Sequence, residues 1–215
     1  MKGKRLWFYI SFFVIVAILF TVALYWGTDN WKAKPAVMNN VKPFAFETQD
    51  GRNFTRQNMI GKVCVVEYFF THCTGICPHL NTNMKEVYNE FKDHPDFLIM
   101  SHTCDPERDS ASQLKHYSDS LKIDNNKWVF LTGRKDSLYK AARESYLLDD
   151  PKNALQNIND QFIHTQFWAV VDKNGMVRGQ IFDGLKKDEI AQMEDLVKEL
   201  LKEKVGPTNT NFILN

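Results

Sequence analysis

The sequence has little cysteine, little proline and almost no surplus of charge, and each shortage removes a class of protein. Four cysteines in 215 residues are too few for a disulfide-stapled scaffold. Lysine and arginine number 27 against 26 aspartates and glutamates, a net charge of +1. These charges are dispersed, so the basic stripe that tracks a phosphate backbone is missing, and nucleic acid is not an expected partner. No internal repeat and no low-complexity tract interrupts the chain. The second C-x-x-C of a structural zinc site is also missing. The length is enough for one domain with a sizeable core.

What the sequence does have is one long apolar run. Leu6 to Trp26, "LWFYISFFVIVAILFTVALYW", contains no charged residue. At ~1.5 Å per helical residue such a run crosses a hydrocarbon core of about 30 Å. A cleaved signal peptide has an apolar part of only about 7–15 residues and ends in small residues. This run is longer and ends in Tyr25 and Trp26, which suit a membrane interface. It reads as an uncleaved anchor in contact with lipid. Lys2, Lys4 and Arg5 precede it, and Lys32 and Lys34 follow. The positive-inside bias predicts a cytoplasmic N-terminus and an exported domain. No targeting stretch precedes the run, which favours the inner membrane of a bacterium with the soluble part on the periplasmic side. The expected division is a leader at 1–5, a span at 6–26, a linker at 27–42, a domain at 43–205 and a flexible tail at 206–215.

Within that domain, "FAFETQDGRNFT" predicts a hairpin turning at Asp50-Gly51. "KVCVVEYFF" and "FLIMSHT" are continuous apolar runs, as strands buried on both faces require. Leu80, Met84, Val87 and Phe91 recur at helical spacing, predicting a helix from about Pro78 to Lys92. A second helix should start near Asp109 or Ser110, and "WVFLTG" is a third strand. A helix around Asp136 to Ser145, a polar loop, a hairpin turning at Lys173-Asn174-Gly175 and a helix from Lys187 to about Lys204 complete the order. The result is an α/β domain, a central mixed sheet flanked by helices, with a cysteine pair between the first long strand and its helix. That is a thioredoxin-like arrangement behind a single membrane helix.

The pair is Cys73 and Cys77 in "YFFTHCTGICPHLN". Its spacing is one residue too wide for a C-x-x-C disulfide exchanger. Cys77 sits beside Pro78 at a helix start, where unpaired N–H groups favour its thiolate. Thiolate both attacks disulfides and binds metal, so this feature separates neither use. Two thiolates suit copper(I), with zinc the weaker fit, and either metal wants a further ligand. Of six histidines, His164 in "FIHTQFW" precedes the late hairpin, whose loop packs against the cysteine turn in thioredoxin-like domains. Disulfide exchangers carry a cis-proline there, but no proline occurs from Asn153 to Trp168. His72 and His79 flank the pair and are weaker candidates. His94 reads as a turn residue, His116 as a helix-surface residue, Cys64 as a buried hydrophobe, and Cys104 as a structural thiol close enough to approach the site.

The combination "YFFTHCTGICP", then Asp105 to Asp109 reading D-P-E-R-D, then Leu131 to Gly133 reading L-T-G, then a late histidine resembles the Sco/SenC family of membrane-anchored copper proteins. The resemblance covers roughly Phe44 to Phe182, and the N-terminal anchor matches as well. It implies copper held by Cys73, Cys77 and His164. It also implies a role in assembling the dinuclear copper centre of a respiratory cytochrome oxidase, with that centre's subunit and a thiol reductant as partners. Copper delivery, reduction of the target's cysteines by the pair Cys73 and Cys77, and redox or copper sensing remain open as readings. Three positions depart from the family pattern: Thr74 where a proline is common, Cys104 where an apolar residue is usual, and Ile163 where an aspartate is common.

Overall fold

The structure is a computed structural model that describes residues 2–25, 35–73, 75–155, 157–163 and 165–206. Thr74, His164 and most of the expected tail lie outside the described residues. The chain divides into two units, Met1–Pro35 and Ala36–Asn215. In the first, α1 (Lys2–Tyr25) contains a stretch, Gly3–Leu24, of mean hydropathy 2.5 that is long and apolar enough to cross a membrane.

The second unit is built on an eight-stranded mixed sheet. Its strands are β1 (Val37–Asn40), β2 (Ala45–Thr48), β3 (Asn53–Thr55), β4 (Val63–Phe69), β5 (Phe97–Thr103), β6 (Trp128–Thr132), β7 (Phe167–Val171) and β8 (Met176–Asp183). They lie side by side in the order β1-β8-β7-β4-β5-β6-β2-β3. Every residue of β4 and β5 is buried, which is why both read as largely apolar runs, broken in β4 only by Glu67 and in β5 only by its polar end, Ser101 to Thr103. These two strands pair in parallel, and β6 runs parallel to β5; the crossovers are α3 (Cys77–Phe91) and α4 (Ala111–Leu121). The remaining pairs are antiparallel, and both predicted hairpins form, with Gly51 at φ 71 and Gly175 at φ 81.

Alternation along β4 divides the core. Val63, Val65 and Phe69 pack with Leu80, Met84 and Val87 of α3 and with Met193, Val197 and Leu200 of α6 (Lys187–Lys202). Cys64, Val66 and Tyr68 face the other way, toward Phe46, Met100, Leu138 and Tyr146. Each such fully buried side chain contributes on the order of 2 kcal/mol. Phe69 pairs with Thr103, so β4 and β5 end level and their C-terminal loops emerge together. That edge is where open α/β sheets gather their sites.

Two features differ from expectation. The segment 27–42, expected as linker, contributes β1, which pairs with β8 and donates the Asn39 side chain to the carbonyls of Glu144 and Ser145. The helix expected around Asp136 to Ser145 is α5 (Lys135–Ala141) followed by a π-helical turn, Ala142–Tyr146, and closed by Leu147 at φ 60. A short α2 (Arg56–Met59) also follows β3.

Candidate metal centre

The loop after β4 doubles back at once, with Cys73 N–H donating to Phe70 O at 3.3 Å. Cys77 opens α3 and Pro78 occupies its first turn, where a missing N–H costs nothing. Cys73 is half-buried and Cys77 is buried, and neither is in a disulfide.

The two sulfurs are held in different states. Partial burial of Cys73 opposes its ionisation. It is outweighed by the Cys77 thiol, which donates to the Cys73 sulfur, and by backbone N–H groups of Cys77, Gly75 and Ile76, so the Cys73 pKa falls below the ordinary thiol value. Cys77 is pushed up to about 12 by burial, by its hydrogen bond to Cys73 and by the charge of Cys73. The expectation that Cys77 carries the thiolate is therefore corrected: the N–H groups at the start of α3 point back at Cys73. Sequence spacing alone does not reveal which way those groups aim.

The loop is fastened from the D-P-E-R-D turn. The fully buried Asp109 carboxylate accepts from Thr71 N at 3.2 Å, Thr71 Oγ1 at 2.5 Å and Thr103 Oγ1 at 2.6 Å. Gln113 of α4 adds a bond to Thr71 Oγ1 at 3.4 Å. His72 lies at the edge of this network, 2.9 Å from Thr71 Oγ1 and exposed to solvent. Asp109 stands where the sequence predicts a helix start, and an acid next to the capping Ser110 carries no local signal of this role.

Cys104 follows β5 and is buried. Its thiol donates to Phe69 O at 3.1 Å, and burial together with the nearby Cys77 raises its pKa. Its carbonyl accepts from the Tyr139 hydroxyl at 2.7 Å, and that hydroxyl oxygen in turn accepts from Ile163 N–H at 3.4 Å. Phe162 meets Phe70 edge to face at 5.1 Å. On the far side of position 164, Gln166 O accepts from Gly184 N at 2.9 Å. The residues before His164 are thus tied to the ends of β5 and β4, and those after it to the end of β8, while His164 itself lies outside the described residues. Ile163 is buried in the apolar cluster with Tyr139 and Cys104, which accounts for an apolar side chain at that position.

Of the other histidines, His79 and His116 are exposed, and His94 accepts from Asp96 N–H at 3.3 Å in its turn. His102 is buried among Phe46, Tyr68 and Tyr146, and burial lowers its pKa to about 3, which makes it a neutral core residue. Among the described residues no cluster of three His, Cys, Asp or Glu side chains converges on one point. The soft pair Cys73 and Cys77 is the nucleus of the site.

One further group lies beneath it. Glu67 of β4 is buried, accepts from Ser101 Oγ at 2.5 Å, and bonds the side chain of Trp168; burial raises its pKa to about 7. Trp128 Nε1 closes the chain by donating to Ser101 Oγ at 2.8 Å. The signal was in plain view: a single acid inside "KVCVVEYFF".

A thiol pair at the C-terminal edge of a thioredoxin-like sheet defines the class. Within it, the SCO1/SenC family model matches residues 33–201, and the chain belongs to that family. The SCO1 protein homolog of Bacillus subtilis is 31% identical over 141 residues, 64% of this chain and 70% of that one. The yeast mitochondrial members are longer, and the chain spans about half their length. A solved structure of BsSco, described as a Sco family cytochrome c oxidase assembly protein with a disulfide switch, superposes with a TM-score of 0.66. It shares 28% identity, and the match covers 80% of this chain and 98% of that one. Yeast Sco1 with copper bound shares the fold at a TM-score of 0.59 and 21% identity, covering 81% of this chain and 100% of that one. The Sco family is thus one of cytochrome c oxidase assembly proteins.

Proposed function

We propose that this protein carries copper(I) on Cys73, Cys77 and His164 and delivers it to the copper-centre subunit of a cytochrome c oxidase. The observation that carries this is the coupled cysteine pair: two soft donors share a hydrogen bond at a partly exposed rim, which fits a metal that must be both held and released. The copper-bound yeast relative supports the choice of metal. His164 enters from its flanks, since Ile163 is fastened to the end of β5 and Gln166 to the end of β8. Loading removes the proton from Cys77, whose raised pKa makes affinity rise with pH.

The domain at 43–205, extended at its N-terminal side by β1, would work on the exported side of an inner membrane, held there by α1 and the leader at 1–5. Anchoring raises the effective concentration at a membrane-bound target. The test is metal analysis of the detergent-solubilised chain after loading with copper(I). One copper per reduced chain, and none once Cys73 and Cys77 are oxidised together, is the expected result. Equal loading of both forms would overturn the proposal.

The unequal ionisation of the pair favours a second activity, reduction of the target's disulfide. The Cys73 thiolate attacks one target sulfur and expels the other as a thiolate. Cys77 then loses its proton, attacks Cys73 and releases the second target thiol. The target gains two thiols and this chain keeps the disulfide, so a separate thiol reductant must reset it. Rapid reduction of a target disulfide by metal-free protein tests this reading; an inert metal-free protein would sink it.

A further inference from the structure

Cys73 also lines a groove of about 620 Å³ between α3 and α4, whose other lining residues serve neither metal binding nor thiol exchange. One wall is a single stripe of α3 running from Pro78 through Asn81 and Lys85 to Asn89; Tyr117 and Leu121 of α4 form the other. Eleven helical residues rise ~16 Å, a length that about five residues of extended chain would fill.

The two ends of the groove differ. Cys73 and neutral side chains lie at one end. At the other, the Lys85 ammonium donates to the carbonyl oxygens of Leu121 and Lys122 and has Lys92 and Lys122 as like-charged neighbours. Glu86 is the one carboxylate lining the groove, and its Oε2 lies 2.6 Å from Lys187 Nζ. Asp119 on α4 is paired with Lys115. Among the described residues Lys85, Lys92 and Lys122 form no ion pair, so the distal end carries surplus positive charge. Nearer Cys73 the Asn81 amide donates to the Tyr117 hydroxyl across the groove.

We propose that this groove docks an extended, acidic segment of the partner protein, with a partner cysteine at Cys73 and carboxylates about four or five residues away at Lys85, Lys92 and Lys122. The proposal rests on the function above, because it is the partner's cysteine that must reach Cys73. Charge complementarity of this kind sets encounter rate and register.

The probes are eight-residue peptides, blocked at both ends, whose cysteine is a mixed disulfide with 5-thio-2-nitrobenzoate. One series carries three glutamates beginning four residues from the cysteine, on either side, and the control carries glutamines. The Cys73 thiolate attacks the peptide sulfur, the S–S bond breaks, and the coloured thiolate leaves. At low salt the better glutamate peptide should react about tenfold faster than its control with the full-length chain. Salt at about 0.5 M should remove most of that advantage. So should the double variant Lys92→Gln/Lys122→Gln, whose far-UV circular dichroism and copper loading should match the parent. Equal rates for both peptides, or an advantage that survives the double variant, overturns the groove proposal even if copper loading is intact. Failure to load copper, with the glutamate preference preserved, overturns the metal function and leaves the groove standing.

Discussion

The Cys77 thiol donates its hydrogen to Cys73, so the neighbours share a bond while one is pushed toward thiolate and the other is kept protonated. A pair in that state can attack a disulfide through Cys73, and can bind a metal through both sulfurs once Cys77 gives up its proton. The burial of Cys77 and the N–H groups aimed at Cys73 set this asymmetry before any ligand arrives.

The first expectation concerns labelling. Iodoacetamide should modify Cys73 first, with a rate that falls only as pH drops below its lowered pKa, beneath the ordinary thiol range. Cys73→Ser should leave the loop less reactive near neutral pH than the parent, because burial still raises the Cys77 pKa. Cys77→Ala should raise the pH midpoint of Cys73 by removing its side-chain donor. Site-resolved mass spectrometry across pH checks this, and Cys77 reacting first would refute the assignment.

The second concerns Glu67. Its folded pKa of about 7 lies above the ordinary carboxyl value of 4.5, so the folded state binds the proton more tightly than the unfolded one. Stability from this group is full below the unfolded value and is lost as pH rises from there to the folded value, by about 3 kcal/mol in all. Glu67→Gln should remove that decline. Urea midpoints between these pH values, compared for parent and variant, decide it; identical slopes would assign the decline to other groups.

The third concerns the fastening of the loop. Asp109→Ala leaves the donors of Thr71 and Thr103 without their acceptor in a buried place, a cost of about 2–3 kcal/mol. Denaturant unfolding measures it, and a loss below about 0.5 kcal/mol would show that the network carries little.

The fourth concerns Cys104, whose thiol is spent on Phe69 O. Cys104→Ala should keep full copper loading. A halved stoichiometry would make this thiol a ligand and revive the sensor reading.

Much of the fold was legible because its signals are local. The β4 and β5 runs, the glycine turns and Pro78 beside Cys77 each state their structure within a few residues. What escaped depends on partners distant in sequence. Val37 to Asn40 reads as linker because "VMNN" is a short, largely exposed edge strand that exists only by pairing with β8. Asp109 reaches Thr71 across 38 positions, and nothing near either residue announces the bond. In the site, the two cysteines were identifiable by type and spacing, whereas which one ionises depends on the direction of backbone N–H groups and on burial.

The most direct measurement of the central claim is X-ray absorption at the copper edge of the loaded chain, beside its Cys73→Ser, Cys77→Ser and His164→Ala variants. The account predicts two sulfur scatterers and one imidazole nitrogen around copper(I), the nitrogen lost in His164→Ala and loading lost in either serine variant. An unchanged spectrum in His164→Ala, or full loading without either cysteine, would contradict it.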